Sequence, residues 1–454
     1  MLPRSAQLRG LIALGGWLCV SSVSNASDWP QWRGPTRDGR WMDTGLLETF
    51  PKDGPKVVWK KPLNPGYSGP AIAGGKVYVC DRIAGAVEND KPQPKGGIPG
   101  KERVLCLDFK TGEKVWEHVY DCLYERVSFP SGPRTTPVVD GNRVYTLGAM
   151  GDIFCLDATT GKPVWTLNLR KEFSTKAPVW GFAAHLLADK ERLYTLVGGP
   201  DSAVVALDKA TGKTVWKALT SQEVGYSPPV LVEAGGVTQL VVWLSDEVAG
   251  LNPKTGEVYW KEKHPAVGMK QMRPAVTITT PCVHDGVVYV SSAYDGALAI
   301  KLASDKPTAS VLWRAEKNYP KTPEKLPTLM STLLVKDGYL YGIGAEDGDV
   351  ICAKADSGET VWTNLGLFGG KKALFGSAFW VEAEGRQYCF TDQGDLVVLD
   401  LNPKGYKELG RAHVIDPSQG ARGRKVVWAH PGCSDKCMVV RNDKEIVCVS
   451  LAKE

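Results

Sequence analysis

Val204-Val205-Ala206-Leu207-Asp208-Lys209-Ala210-Thr211-Gly212-Lys213-Thr214-Val215-Trp216 places two short apolar runs on either side of an Asp-x-x-Thr-Gly turn and ends on a tryptophan. Runs of this length and composition, bounded by turn residues, read as paired β-strands. Asp at the start of the turn can accept backbone N–H groups, and Gly accepts the positive φ that a bulged hairpin demands. The stretch recurs along almost the whole chain. Copies run from Val104 to Trp116, Ile153 to Trp165 and Val248 to Trp260, and less regular ones end at Trp313, Trp362 and Leu409, the last with leucine at the tryptophan position. From Trp116 the spacings are 49, 51, 44, 53, 49 and 47 residues, the length of one propeller blade.

Two further strand-like runs precede each copy, as in Thr136 to Gly141 followed by Val144 to Leu147. Each unit therefore has four antiparallel strands, A to D in chain order. Such a unit cannot bury both of its faces alone, so the units must stack into a ring. Seven complete units end at Leu409. An eighth starts at Val426-Val427-Trp428-Ala429-His430 and stops after its C strand at Leu451, while Val57-Val58-Trp59-Lys60 carries a D-strand signature with no A to C strands before it. Closing the last blade with the first strand removes the exposed edges. The fold expected is all-β: an eight-bladed propeller of four-stranded antiparallel blades, over residues 57–454, latched three strands plus one.

Residues 1–26 have the form of a signal peptide: Arg4 and Arg9, an apolar run from Leu11 to Val20, and small residues at Ser24 and Ala26. That run is short of the roughly 20 residues needed to span a bilayer, and Cys19 lacks a small residue before it for lipidation. Export to the periplasm or cell envelope follows, with no transmembrane span. Residues 27–56 are expected to cross the rim of the ring with aromatic side chains in blade gaps, and Ile83 to Lys101 to form a long surface loop. A net charge of +5 over 454 residues gives no reason to expect nucleic acid as a partner.

Ten cysteines follow the signal segment, and Cys106, Cys155, Cys352 and Cys448 share one position of strand C, where small buried residues sit in other copies. Cys433 and Cys437 flank a tight A-to-B turn, where an exported protein favours a disulfide over a metal clip. No other metal site is expected. Seven tryptophans belong to the repeat and cement neighbouring blades, whereas Trp180, Trp380 and Trp428 fall near the starts of A strands, close to the axis, and His185 and His430 follow two of them. The loops from D to A carry 19 lysines and arginines against 8 aspartates and glutamates. Such an excess predicts a positive axial mouth. Arg134, Trp180, Lys270, Arg273, Arg422, Arg424, Trp428 and His430 are the candidate ligand-binding residues, and Lys371, Lys372 and Lys425 add to the charge. Phosphate-loop, His-Glu-x-x-His and Gly-x-Ser-x-Gly patterns are absent, and no catalytic residue is assigned.

Leu156-Asp157-Ala158-Thr159-Thr160-Gly161-Lys162-Pro163-Val164-Trp165 and its relatives resemble the pyrroloquinoline-quinone (PQQ) type propeller repeat, over about residues 55 to 454. Asp28-Trp29-Pro30-Gln31-Trp32-Arg33-Gly34-Pro35 through Gly39 looks like the opening of exported PQQ-like propellers common in planctomycete bacteria. The resemblance implies either a quinoprotein alcohol or sugar dehydrogenase using PQQ with calcium, or a noncatalytic binding or scaffold propeller of the BamB type. The dehydrogenase branch typically carries an adjacent Cys-Cys pair and a calcium-binding carboxylate-amide set. Neither pattern is found in this sequence, so the noncatalytic branch is favoured, with no cofactor, a protein or an anionic small molecule as partner at the axial mouth, and a monomeric state.

Overall fold

The opening stretch folds as expected in a computed structural model, which describes residues 28–84, 94–221, 223–264, 276–316, 324–421 and 423–453. Val204–Asp208 and Thr214–Ala218 are strands C and D of a blade whose A and B strands are Leu187–Ala188 and Arg192–Leu196. The C-to-D ladder slips by one residue, so Val215 bulges outward and Trp216 falls opposite Ala206. The same slip recurs in the other C-to-D pairs. A bulge adds a residue to one strand and re-aims its neighbours, which explains why Val58, Val115, Val164 and Val215 are exposed although each precedes a tryptophan.

Seven four-stranded sheets are contiguous in sequence. The eighth is completed by Lys56–Pro62, which pairs antiparallel with Glu445–Ser450 beside Cys437–Arg441 and Gly432–Ser434. The chain is therefore an eight-bladed propeller closed by its N-terminal strand. Three details differ from expectation. Strand A of the eighth blade is Gly432–Ser434, because Arg424–Val426 pairs locally with Gln419–Ala421 in a separate hairpin. Gly410, and not Leu409, lies opposite Val398 in the tryptophan position; Leu409 is the bulged residue. Cys433 and Cys437 are both free thiols. Cys433 pairs with Met438, and Cys437 with Ser434, so the two sulfurs leave opposite faces of the hairpin.

The tryptophans lock each blade to the next. Trp59, Trp116, Trp165 and Trp216 donate Nε1–H to carbonyls of the following blade's C-to-D turn at 2.7–3.0 Å, and Trp313 and Trp362 do the same. The ring then lies on the turn glycine: a Cβ on Gly161 would come within 2.5 Å of Trp116 and one on Gly212 within 2.6 Å of Trp165. Positive φ and the overlying ring thus both require glycine. Trp260 is the exception and bonds Gln239 of its own blade, because the next turn is rebuilt around Pro307.

Between blades seven and eight no C-to-D turn exists, since strand D of the eighth blade comes from the other end of the chain. The N-terminal segment fills this gap. Leu46 bridges Ala452, Tyr388 donates to the Leu47 carbonyl, and a Cβ on Gly410 would lie 2.6 Å from the Glu48 carbonyl. Among the described residues no helix is long and apolar enough to cross a membrane.

An axial cavity floored by the N-terminal segment

Side chains alternate along the chain entering each A strand, so every second residue points to the axis. The residue four positions before strand A is Tyr67, Arg134, Ala183, Tyr226, Ile278, Met330, Leu374 or Trp428 in the eight blades in turn. All eight line one cavity of about 400 Å³. Two residues further on come Gly69, Thr136, His185, Pro228, Thr280, Thr332, Gly376 and His430, a deeper layer at which the cavity ends.

The floor is Trp32. Residues 29–41 run across the A-to-B side of the ring, bonded to residues in or immediately before the A strands: Trp29 bridges Ile72, Pro30 accepts from Val139, Arg37 donates to the Leu186 and Pro229 carbonyls, and the Trp41 backbone N–H donates to the Glu382 carbonyl. This path drives the Trp32 indole into the axis. It stacks on His185 at 3.8 Å between centroids, meets His430 edge-on at 4.3 Å, and donates to Thr280 Oγ1 at 2.8 Å. The two imidazoles are tied together through Thr136, whose backbone N–H donates to His185 Nδ1 at 2.9 Å and whose hydroxyl bonds His430 Nε2. Gly69 leaves room for His430, which overlies it. Burial drives the pKa of His430 down to about 3. His185 lies well below the usual histidine range through burial, the neighbouring His430 and the Arg37 cation. Both rings are neutral packing groups at neutral pH.

The mouth is built by D-to-A loops. Phe129 meets Trp428 at 5.3 Å, Trp428 lies 6.2 Å from Tyr67, and Trp180 lies 5.0 Å from Tyr226. Arg134 is a clamp: Nε donates to the Trp180 carbonyl at 2.7 Å, Nη2 to Ser128 and Phe129, Nη1 to Gly132, and the guanidinium sits 5.1 Å from the Tyr67 ring centre. Arg424 spends Nη2 on Asp392 at 2.7 Å and on the Phe375 and Leu374 carbonyls. Asp392 is fully buried, and burial raises its pKa while Arg424 pulls it back.

Of the sequence candidates, the structure brings together Arg134, Trp180, Arg424, Trp428 and His430 around one cavity. Lys270, Arg273 and Arg422 lie outside the described residues, as does the signal-peptide segment. Trp380 is buried between blades six and seven instead. Among the described cations of the mouth, Arg134 donates to carbonyls, Arg424 pairs with Asp392, and Lys372 pairs with Asp347 at 2.9 Å. Trp32, Tyr67, Tyr226 and Phe375 were not among the candidates. The signal that would have found Tyr67 and Tyr226 is the column four before strand A, which becomes readable once the A strands are aligned.

A family model described as outer membrane protein assembly factor BamB matches residues 100–364, more than half of the chain. The chain belongs to this family. Its similarity to BamB of Burkholderia pseudomallei is 26% identity over 233 residues, half of this chain and 54% of that protein. A quinoprotein ethanol dehydrogenase of Pseudomonas putida is 30% identical over 144 residues, 28% of this chain and 22% of the enzyme. The chain thus spans about half the length of the one relative and about a fifth of the other. The crystal structure of BamB from Moraxella catarrhalis superposes with a TM-score of 0.56 at 16% identity, covering 88% of this chain and 98% of that one, which shows a shared fold.

A quinone site assisted by calcium needs hard oxygen ligands. Among the described residues, those lining the cavity include no Asp, Glu, Asn or Gln. Among the described residues no three His, Cys, Asp or Glu side chains are grouped to hold a metal ion. The wall of this cavity does not fit such a group.

Proposed function

We propose that this chain is an exported, noncatalytic propeller that acts as a binding or scaffold protein in assembly of the cell envelope, with its binding site at the axial mouth. The observation that carries this reading is the cavity itself. Rings and aliphatic side chains dominate its wall, its arginines hold loops in place, and its histidines are neutral and bonded to Thr136. Such a site offers apolar contact and shape, the usual composition of a binding pocket. Among the described residues no carboxylate lines the cavity, and its imidazoles are engaged in hydrogen bonds to Thr136 rather than free to accept a proton from a substrate alcohol. Membership of the BamB family and similarity to BamB of B. pseudomallei support a role in envelope assembly, and the form of residues 1–26 supports export.

Two measurements on the full chain test the reading. Incubation with pyrroloquinoline quinone and calcium, followed by alcohols and sugars, should give no substrate-dependent reduction of an electron-accepting dye. Immobilised protein should retain an unfolded, β-rich outer-membrane polypeptide. Turnover with any alcohol or sugar would overturn the noncatalytic reading, and failure to retain the polypeptide would remove the scaffold role.

A further inference from the structure

Two side chains of the cavity wall, Arg424 and Trp428, can only donate hydrogen bonds. Arg424 uses only Nη2 for its hydrogen bonds, so Nε and Nη1 are without partners among the described residues. The Nε1–H of Trp428, four residues along, is buried and has no partner either. Both residues line the cavity. The Trp428 donor, buried without an acceptor, costs free energy unless a ligand supplies one, whereas the Arg424 side chain is partly exposed. Among the described residues no carboxylate lines the wall, and only one of its two guanidinium groups, that of Arg424, is paired with an acid. Cations are therefore disfavoured, and an acceptor bearing negative charge is favoured. The remaining surface is aromatic and aliphatic, and a volume of about 400 Å³ lies at the small end of ligand pockets.

Resting on the reading of the axial mouth as a binding site, we propose that the cavity takes a small apolar or aromatic monocarboxylic acid. Its ring would lie among Tyr67, Tyr226 and Trp428 above Trp32, and its carboxylate would accept from Arg424 and from the Trp428 Nε1–H. Trp32 closes the A-to-B side, so entry is from the D-to-A side, where Arg134 holds the Trp180 loop in place.

Isothermal titration calorimetry of the full chain tests this with three probes of one shape and different charge: indole-3-acetate, indole-3-acetamide and tryptamine. The acid should bind with one-to-one stoichiometry, the amide at least about tenfold more weakly, and the amine not measurably. Arg424→Met should bring the acid down to the affinity of the amide and leave the amide unchanged. Because that variant strands Asp392, the double variant R424M/D392N serves if the single one does not fold. Trp428→Phe should weaken the acid several-fold. Equal binding of acid and amide, tighter binding of the amine, or no binding by folded protein would overturn the proposal. A hexapeptide ending in tryptophan with a free carboxylate supplies the other arm: if it binds and indole-3-acetate does not, the cavity takes polypeptide ends and the small-acid assignment is wrong. Loss of the acid with retention of an unfolded polypeptide would leave the scaffold role standing, and dye reduction would remove that role without touching the acid site.

Discussion

The seams between blades and the axis of the ring both bury tryptophan, yet they are built in opposite ways. At a seam one indole lies on the turn glycine of the next blade and donates to a carbonyl of that turn, and the device repeats from Trp59 to Trp362 with one exception. At the axis a single indole, Trp32, meets residues of several blades at once, and no second copy exists. A repeated contact needs only its neighbour to be correct. The single contact needs the whole ring closed, because the partners of Trp32 are 248 residues away at Thr280 and those of Thr136 are 294 residues away at His430.

The largest effect that can break this comparison is at a seam. Trp116→Ala removes a large buried ring and leaves the Ala158 carbonyl without its donor. The expected loss is about 3–5 kcal/mol in denaturant-induced unfolding, with the axial cavity still able to bind. A loss below about 1 kcal/mol would mean that seams are not what holds the ring.

A smaller effect separates the two reasons for glycine at a seam. Gly161 and Gly141 both have positive φ, of 69° and 57°, but only Gly161 lies beneath a ring; a Cβ on Gly141 would meet nothing within 4 Å. Gly141→Ala should cost about 1 kcal/mol, from backbone conformation alone. Gly161→Ala should cost roughly 2–3 kcal/mol, the difference being displacement of Trp116. Equal losses at the two sites would show that the ring gives way freely.

This contrast also decides what was legible in the sequence. The seams could be read residue by residue, because strand, bulge, turn and tryptophan are local and recur. The closing strand could be read from the signature at Trp59 without strands before it. Register was harder: Leu409 and Gly410 are adjacent, and only the ladder tells which is bulged. The axis could be read only in part. Trp180, Trp428, Arg134, Arg424 and His430 were candidates because they lie near A strands, but the charge counted along loops omitted partners brought by folding, such as Asp392 for Arg424 and four carbonyls for Arg134. Trp32 carried no sign of being the floor, since its path depends on bonds to five blades.

The axis also carries a dependence on pH. An unfolded chain protonates His430 as the pH falls below its ordinary value of 6.5, while the folded chain resists until about pH 3. The folded state thus binds fewer protons across that window. Stability that is fully present above pH 6.5 is therefore lost progressively as the pH falls toward 3, by up to about 1.4 kcal/mol per pH unit for each such histidine. His185 at the axis, and His264 and His118 away from it, are shifted in the same direction by burial and add to the slope. His413, exposed and paired with Asp395 and Asp416, is shifted upward and opposes it. His430→Gln removes one group and leaves the others, so its stability, measured by urea unfolding at pH 7 and pH 4.5, should fall less between the two than that of the parent chain. A parent-like slope in the His430 variant would place the acid sensitivity in groups away from the axis, such as His264 and His118.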